Sequence, residues 1–522
     1  MLTITKLKGA EYLIASVGDG MEDYYMGAGE APGVWRGAWA AELGLEGVVR
    51  ADELRALVNG VEPNVGFDML AGHRERKVRA VDVTLSVPKS VSLLWAFGSP
   101  QTSAAVSIAV VEATDHALTF LEERTAVARQ QKSGVRRRVP TDGFAIATFA
   151  HRTSRAGDPQ LHTHCLIPNV VRRADGEYVA FDANPLHVWG KAAGTVFLNE
   201  LERTMTDQLG VAWGPERNGC REIVGFSRDQ LREFSKRTVA IETHLEAAGE
   251  LAFDSKADRM RADDRAARAT RDRKDKTLTP ERLRDRWRAE AESVGLEPGV
   301  AVDNLVIGRQ LEPAHTLGEA EILAALVDPA TGLCAMQSRF GEAHVVERVA
   351  AISGGRLTLE EILTVTQQFL GSEHVVRLTP DVAQRRPPEW STVELRAVED
   401  RLLAQLRALT ARTCGPTAPA AIDAAITGEA KRLGRDQIKA VRVLCDGGPS
   451  VRVLVAPAGF GKTTALHAAA TAVVSTGRPV VAVAPTHKAV GELRAAGLDA
   501  QTIARFCHRV RDVPLSPDTT RR

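Results

Sequence analysis

The stretch Phe144-Ala-Ile-Ala-Thr-Phe-Ala-His151, followed after a short loop by Leu161-His-Thr-His-Cys-Leu-Ile167, decides how the first half of this chain is read. The first run is apolar enough for a buried strand. The second alternates, and in a strand side chains two apart share a face. His162 and His164 therefore point the same way, with Leu161, Thr163 and Cys165 on the other side. Gly157, Asp158 and Pro159 mark the connection as a turn. If the two strands pair as a hairpin, His151 joins the face of His162 and His164. Three neutral imidazoles on a rigid sheet make a metal site with open coordination positions, which a catalytic Lewis acid needs.

Working outward, a carboxylate lies upstream in Val81-Asp-Val-Thr-Leu-Ser-Val-Pro-Lys-Ser-Val-Ser-Leu93. Asp82 is an acid in a β-branched, apolar strand, and a buried acid needs a partner. A metal-bound histidine or a tyrosine hydroxyl would serve, because ligating histidines usually donate their second N–H to an acceptor. Lys89, close to the end of that strand, is read either as a phosphate contact or as a solvated surface group. The chain has four tyrosines, and Tyr12, Tyr24 and Tyr25 fall within its first 25 residues. A phenolate can attack a phosphodiester and keep its bond energy as a phosphotyrosine. An aromatic pair at the edge of a turn is the other reading of Tyr24-Tyr25. Trp35, Trp39 and Trp95 are read as core, with base stacking as the alternative.

The bulk properties set limits. A chain of 522 residues suggests about three domains. Its 44% hydrophobic and 25% charged content is that of a globular protein. No run of about 18 apolar residues is evident, so no membrane insertion is expected. The N-terminus lacks the apolar core of a signal peptide. Six cysteines, at 165, 220, 334, 414, 445 and 507, form no CxxC pair. That pattern fits a reducing, cytoplasmic location. The net charge of +1 does not advertise a nucleic-acid binder, though local patches such as Arg136-Arg137-Arg138 persist. The mixed charges of 255–290 read as a solvated helix face.

Three regions separate. Residues 1–254 mix β-rich runs (Val78–Val91, Phe144–Ala150, His162–Pro168) with helical ones. Residues 255–425 read as mostly helical, broken at Arg385-Arg386-Pro387-Pro388 and Ala411–Pro419. Residues 426–522 turn to strand, glycine loop, helix and strand, an α/β unit. There, Val451-Arg-Val-Leu-Val-Ala-Pro-Ala-Gly-Phe-Gly-Lys-Thr-Thr464 carries the end of a P-loop, with Ala456 where the first glycine would stand. Gly459 and Gly461 let backbone N–H groups face phosphates, Lys462 reaches the β- and γ-phosphates, and Thr463 binds Mg²⁺.

Taken together, the first-region motifs resemble conjugative relaxases of the MobF (TrwC/TraI-like) type, in the HUH endonuclease superfamily. The carrying residues are Asp23-Tyr24-Tyr25, Asp82-Val-Thr-Leu-Ser-Val-Pro-Lys-Ser-Val-Ser92, His151-Arg-Thr-Ser-Arg155 with Asp158-Pro-Gln-Leu-His-Thr-His164, and Phe234-Ser-Lys-Arg-Thr238, in family order. The resemblance implies an α+β fold: a palm-like antiparallel sheet with flanking helices, then a helical region, then a partial RecA-like P-loop domain. It implies nicking and rejoining of one DNA strand at a plasmid transfer origin through a 5′-phosphotyrosine. It implies His151, His162 and His164 as ligands of a divalent metal (Mg²⁺ or Mn²⁺), and Asp82 as the acid that orients a histidine and helps deprotonate the tyrosine. Tyr12 is the first choice for initial attack and Tyr24 for the second transfer, beside Tyr25. The family's usual first tyrosine pair is here only Tyr12, followed by Leu13.

Lys89, Arg136, Arg137, Arg138, Lys236 and Arg237 are the candidate DNA contacts. The implied partners are single-stranded DNA at an origin hairpin, accessory transfer proteins and a coupling protein. Gln437 resembles the adenine-reading glutamine of superfamily 1 helicases, and Val481-Ala-Val-Ala-Pro-Thr-His-Lys488 their next motif, so ATP with Mg²⁺ is the ligand expected at the P-loop. Only 34 residues follow Lys488, with no Walker B acid or arginine finger, so ATP-driven unwinding is not expected of this chain. Two other readings stay open: a rolling-circle replication initiator of the same superfamily, and a non-catalytic origin-binding protein.

Overall fold

The structure, a computed structural model, describes residues 1–8, 32–71, 77–132, 134–154, 156–249, 256–270, 280–309, 317–379, 387–429, 433–457 and 459–511. Tyr12, Tyr24 and Tyr25 lie outside them. The chain forms two compact units. One comprises Met1–Thr243 with Thr270–Leu395, the other His244–Ala269 with Arg396–Arg522.

The first unit is built on a five-stranded sheet. Its strands are β1 (Leu2–Leu7), β2 (Val34–Arg36), β3 (Ala80–Ser86), β6 (Ile146–Thr153) and β7 (Pro159–Pro168), in the order β1-β3-β7-β6-β2. Every neighbouring pair is antiparallel. Strands β4 (Val127–Lys132) and β5 (Val135–Pro140) form a separate ribbon. The strand read from Val78 to Val91 ends at Ser86. Pro88 has no N–H to extend the ladder, and it opens a helix, Lys89–Phe97, that contains Val91.

Alternation gives the sheet two different faces. Val81, Val83, Leu85, Cys165 and Ile167 face the larger core. There they meet two 26-residue helices, Pro100–Thr125 and Asn184–Leu209, which pack on each other. Gly190 and Gly194 let the second helix approach β1, since a Cβ at either would come within 2.8 Å of Ile4 or Leu2. By length and composition Pro100–Thr125 could cross a membrane, although polar and charged residues interrupt it and it is no continuous apolar run. Half of that apolar window is buried, the placement of a core helix.

The opposite face is divided. At one end Ala80, Ala147, Phe149 and Leu166 join Trp35, Trp39, Leu54 and Leu57 in a second core. At the other end the same face carries Asp82, Thr84, His151, His162 and His164. Trp95 is buried as well, so all three tryptophans weighed for base stacking lie in the interior. Helices continue beyond the sheet as expected, including Pro280–Ser293, Glu342–Ser353 and Leu359–Leu370.

In the second unit, helices Pro419–Gly428, Arg435–Cys445 and Lys462–Val474 share a small core. Strands Ala482–Ala484 and Ala500–Thr502 pair in parallel around helix His487–Ala495. The run before the P-loop, expected to be a strand, takes no strand pairing at 451–457. Val453 and Val455 are 82% and 86% exposed there. A parallel strand is stabilised by neighbours on its edges, and this run has none among the described residues.

Candidate metal centre

Strands β6 and β7 set the three imidazoles by register. His151 stands directly opposite His162, and Phe149 opposite His164. Directly opposed residues of an antiparallel pair share a face. His162 and His164 share it by alternation, so all three rings converge. Their centroids lie 4.8–5.2 Å apart with the rings tilted edge to face. One ligating atom from each lies within 4.8 Å of the others.

Hydrogen bonds fix the tautomers. His162 Nδ1 is 2.9 Å from the carbonyl oxygen of Gln160. A carbonyl only accepts, so Nδ1 carries the proton and Nε2 keeps its lone pair. His164 Nδ1 is 2.8 Å from Asp82 Oδ2, which assigns its proton in the same way. Thr84 Oγ1 completes this corner, 3.2 Å from His164 Nδ1 and 3.4 Å from Asp82 Oδ1. Two Nε2 lone pairs and a third imidazole on one wall are the donor set of a three-histidine metal site. The second N–H of two of its ligands is already anchored. The residues therefore fit a divalent cation.

The sequence reading missed Thr84 and Gln160. Thr84 lies two residues beyond Asp82, and alternation alone would have placed it on the same face. Gln160 acts through its main chain, which leaves no sequence signal.

The candidate DNA contacts have varied surroundings. Lys89 Nζ donates to the Pro159 carbonyl at 2.8 Å, and burial pushes its pKa down to about 8. Lys236 Nζ pairs with Asp158 at 2.9 Å and with Glu290 at 2.9 Å. Arg237 Nη1 donates to the Thr270 carbonyl at 3.3 Å. On the β4–β5 ribbon, Arg138 and Arg129 both pair with the buried Asp182, at 2.8 and 2.7 Å, while Arg137 is exposed. Arg136 lies on β5 opposite Gln131.

In the second unit Gly461, at φ 69°, caps helix Lys462–Val474, and Gly459 has φ 80°. Lys462 Nζ donates to the carbonyls of Ala456 and Pro457 at 2.6 and 2.8 Å. Gln437 Nε2 donates to the Phe460 carbonyl at 2.9 Å, so the glutamine and the loop meet. Thr463 follows on the first turn of the helix.

An antiparallel sheet with helices on one face and a three-histidine pocket on the other defines a class of metal-dependent enzyme. Residues 6–294 match the TrwC relaxase family, and residues 432–521 match an AAA domain. The first match takes in more than half of the chain, and the chain belongs to the TrwC relaxase family. The family resemblance carried by the motifs is thereby borne out.

Two curated relatives are multifunctional conjugation proteins TraI of Escherichia coli. One is 30% identical over 244 residues, 44% of this chain and 13% of the relative. The other, from strain K12, is 27% identical over 349 residues, 63% of this chain and 19% of the relative. The chain thus spans less than a fifth of either relative. Among solved structures, the conjugative relaxase TrwC in complex with oriT DNA matches in a metal-bound and a copper-bound form. Each has TM-score 0.50 and 29% identity, covering 57% of this chain and 99% of that one.

Proposed function

We propose that this chain nicks and rejoins one strand of DNA at a plasmid transfer origin, initiating conjugative transfer. The observation that carries the reading is the imidazole triad, with His164 oriented by Asp82 at 2.8 Å. Support comes from the matched TrwC structures, which are bound to oriT DNA and hold a metal.

In this reading a divalent cation held by His151, His162 and His164 supplies Lewis-acid polarisation of the scissile phosphate. The chain's own groups do the rest. Asp82 keeps His164 in the tautomer that offers Nε2. A tyrosine phenolate, Tyr12 first and Tyr24 in the second transfer with Tyr25 beside it, attacks phosphorus in line. The P–O bond to the 3′ oxygen breaks, and that oxygen leaves as a hydroxyl after taking up a proton. The phosphate stays on the tyrosine as a 5′ ester, so the reverse attack by the 3′ hydroxyl reseals the strand. Arg136, Arg137 and Arg138 on the ribbon lead the proposed DNA contacts, with Lys89, Lys236 and Arg237 as further candidates.

The division of labour is a nicking domain at 1–254, a helical region at 255–425 and a nucleotide-site region at 426–522. In the last, Gln437, Gly459, Gly461, Lys462 and Thr463 take ATP with Mg²⁺. A cytoplasmic setting, accessory transfer proteins and a coupling protein belong to the same proposal.

The test is incubation with candidate origin single strands and Mg²⁺ or Mn²⁺, followed by denaturing electrophoresis. A covalent protein–DNA band is expected. Tyr12→Phe should remove it and Tyr24→Phe should leave it. The opposite pattern overturns the assigned order, and no band with any strand overturns the activity.

A further inference from the structure

The turn joining the two histidine strands is gripped from outside the sheet. His151↔His162 is the last regular pair of the β6–β7 ladder on that side. Beyond it the register shifts, and the next pair is Thr153↔Pro159. Two candidate metal ligands therefore form the last regular pair before the irregularity, where a hairpin would otherwise fray.

The turn's polar groups are taken by distant elements. Asp158, 1% exposed, accepts the backbone N–H of Lys236 at 3.0 Å and its Nζ at 2.9 Å. Lys236 Nζ also lies 2.9 Å from Glu290 on helix Pro280–Ser293. From the same helix Arg286 Nη2 donates to the carbonyls of Ala156 and Gly157 at 3.0 and 2.7 Å. Trp287 Nε1 donates to the Gly157 carbonyl at 2.7 Å. The indole is 3% exposed, so this carbonyl is the partner its buried N–H requires. Gly157 has φ +76°, and a Cβ there would come within 2.7 Å of Arg286 Nη2. The glycine is favoured there by its left-handed backbone conformation.

We propose that Trp287, Arg286 and Lys236 are positioning residues of the metal centre, holding the turn at Ala156, Gly157 and Asp158 so that His151 and His162 keep their cross-strand separation. They act through the turn, and helix Pro280–Ser293 joins the site from more than a hundred residues downstream. The inference rests on the metal reading of the triad.

The experiment is Co²⁺ titration of the full chain, followed by visible absorption, with thermal unfolding of the metal-free protein recorded alongside. Trp287→Phe keeps the buried ring and removes the donor. It is expected to weaken Co²⁺ binding about tenfold, the low end for groups that support a metal's ligands from outside, and to shift the absorption band. A role in folding alone would lower the unfolding temperature and leave Co²⁺ affinity and band unchanged, and that result overturns the proposal. Should Trp287→Phe fail to fold, Arg286→Met decides by the same two readouts, because that side chain is half-buried and makes its contacts through its head. The wild type must bind Co²⁺ and His162→Ala must lose it. Failure of that control counts against the metal reading rather than against the positioning.

Discussion

His164 donates its Nδ1–H to Asp82 Oδ2 across the β3–β7 boundary, although the two are not opposite each other: Thr84 faces His164, and Asp82 faces Leu166. The bond is therefore diagonal, and the carboxylate lies at the border between the apolar core and the histidine pocket. Asp82→Asn keeps an acceptor oxygen in place but removes the charge. Metal affinity is expected to fall about 10–100-fold, with nicking recovered by raising the metal concentration. The dependence of covalent adduct yield on Mn²⁺ concentration checks this. An unchanged midpoint would count against the orienting role.

Chelation should separate chemistry from folding. The larger core owes nothing to the imidazoles. The metal-free protein is expected to unfold in a cooperative transition while forming no covalent adduct. Added metal should raise the midpoint, by about 2.7 kcal/mol of stability at a hundredfold excess over its Kd. Scanning calorimetry with and without chelator measures both.

Lys89 gives a pH signature. Its ammonium is pushed down to about 8 by burial, opposed by Asp158 and Glu222 and reinforced by Lys236. Below that value it is charged in folded and unfolded states alike, and the folded state carries the full burial penalty. From about pH 8 to 10.5 the unfolded chain binds more protons, so stability rises with pH, by on the order of 3 kcal/mol over the window. Lys89→Met should flatten that part of the profile. Urea unfolding of wild type and variant at pH 7.5, 9 and 10.5 gives the comparison. Parallel profiles would refute it.

At the nucleotide loop, Lys462 donates to the loop carbonyls of Ala456 and Pro457, and Gln437 closes over Gly461. Lys462→Ala should abolish binding of a fluorescent ATP analogue. It should leave the covalent DNA adduct intact, because the P-loop and the histidines belong to different compact units.

The histidine face was legible because strand alternation and a turn signature are local. Asp82 was legible because a charge among β-branched residues has to be explained by a partner. The end of β3 was misplaced because Val91 continues the apolar run, whereas the backbone answers to Pro88. For Lys89, read as a phosphate contact or a solvated group, and for Lys236, a candidate DNA contact, the sequence does not disclose that Pro159 and Asp158 stand beside them. The grip of Arg286 and Trp287 on the turn spans about 130 residues and leaves no local trace. Nor does the sequence tell whether the valines before the P-loop find edges to pair with.

Strand β7 is paired with β3 and β6 along its histidine segment, and the turn beyond His151 and His162 is held by Arg286 and Trp287. The imidazoles thus stand ready before any ion arrives, unlike sites in which the metal folds the chain around itself. A socket preformed from nitrogen donors ranks divalent ions by their intrinsic taste for imidazole, and it has little means to refuse a strong competitor. Which ion the protein carries in a cell is then a matter of supply.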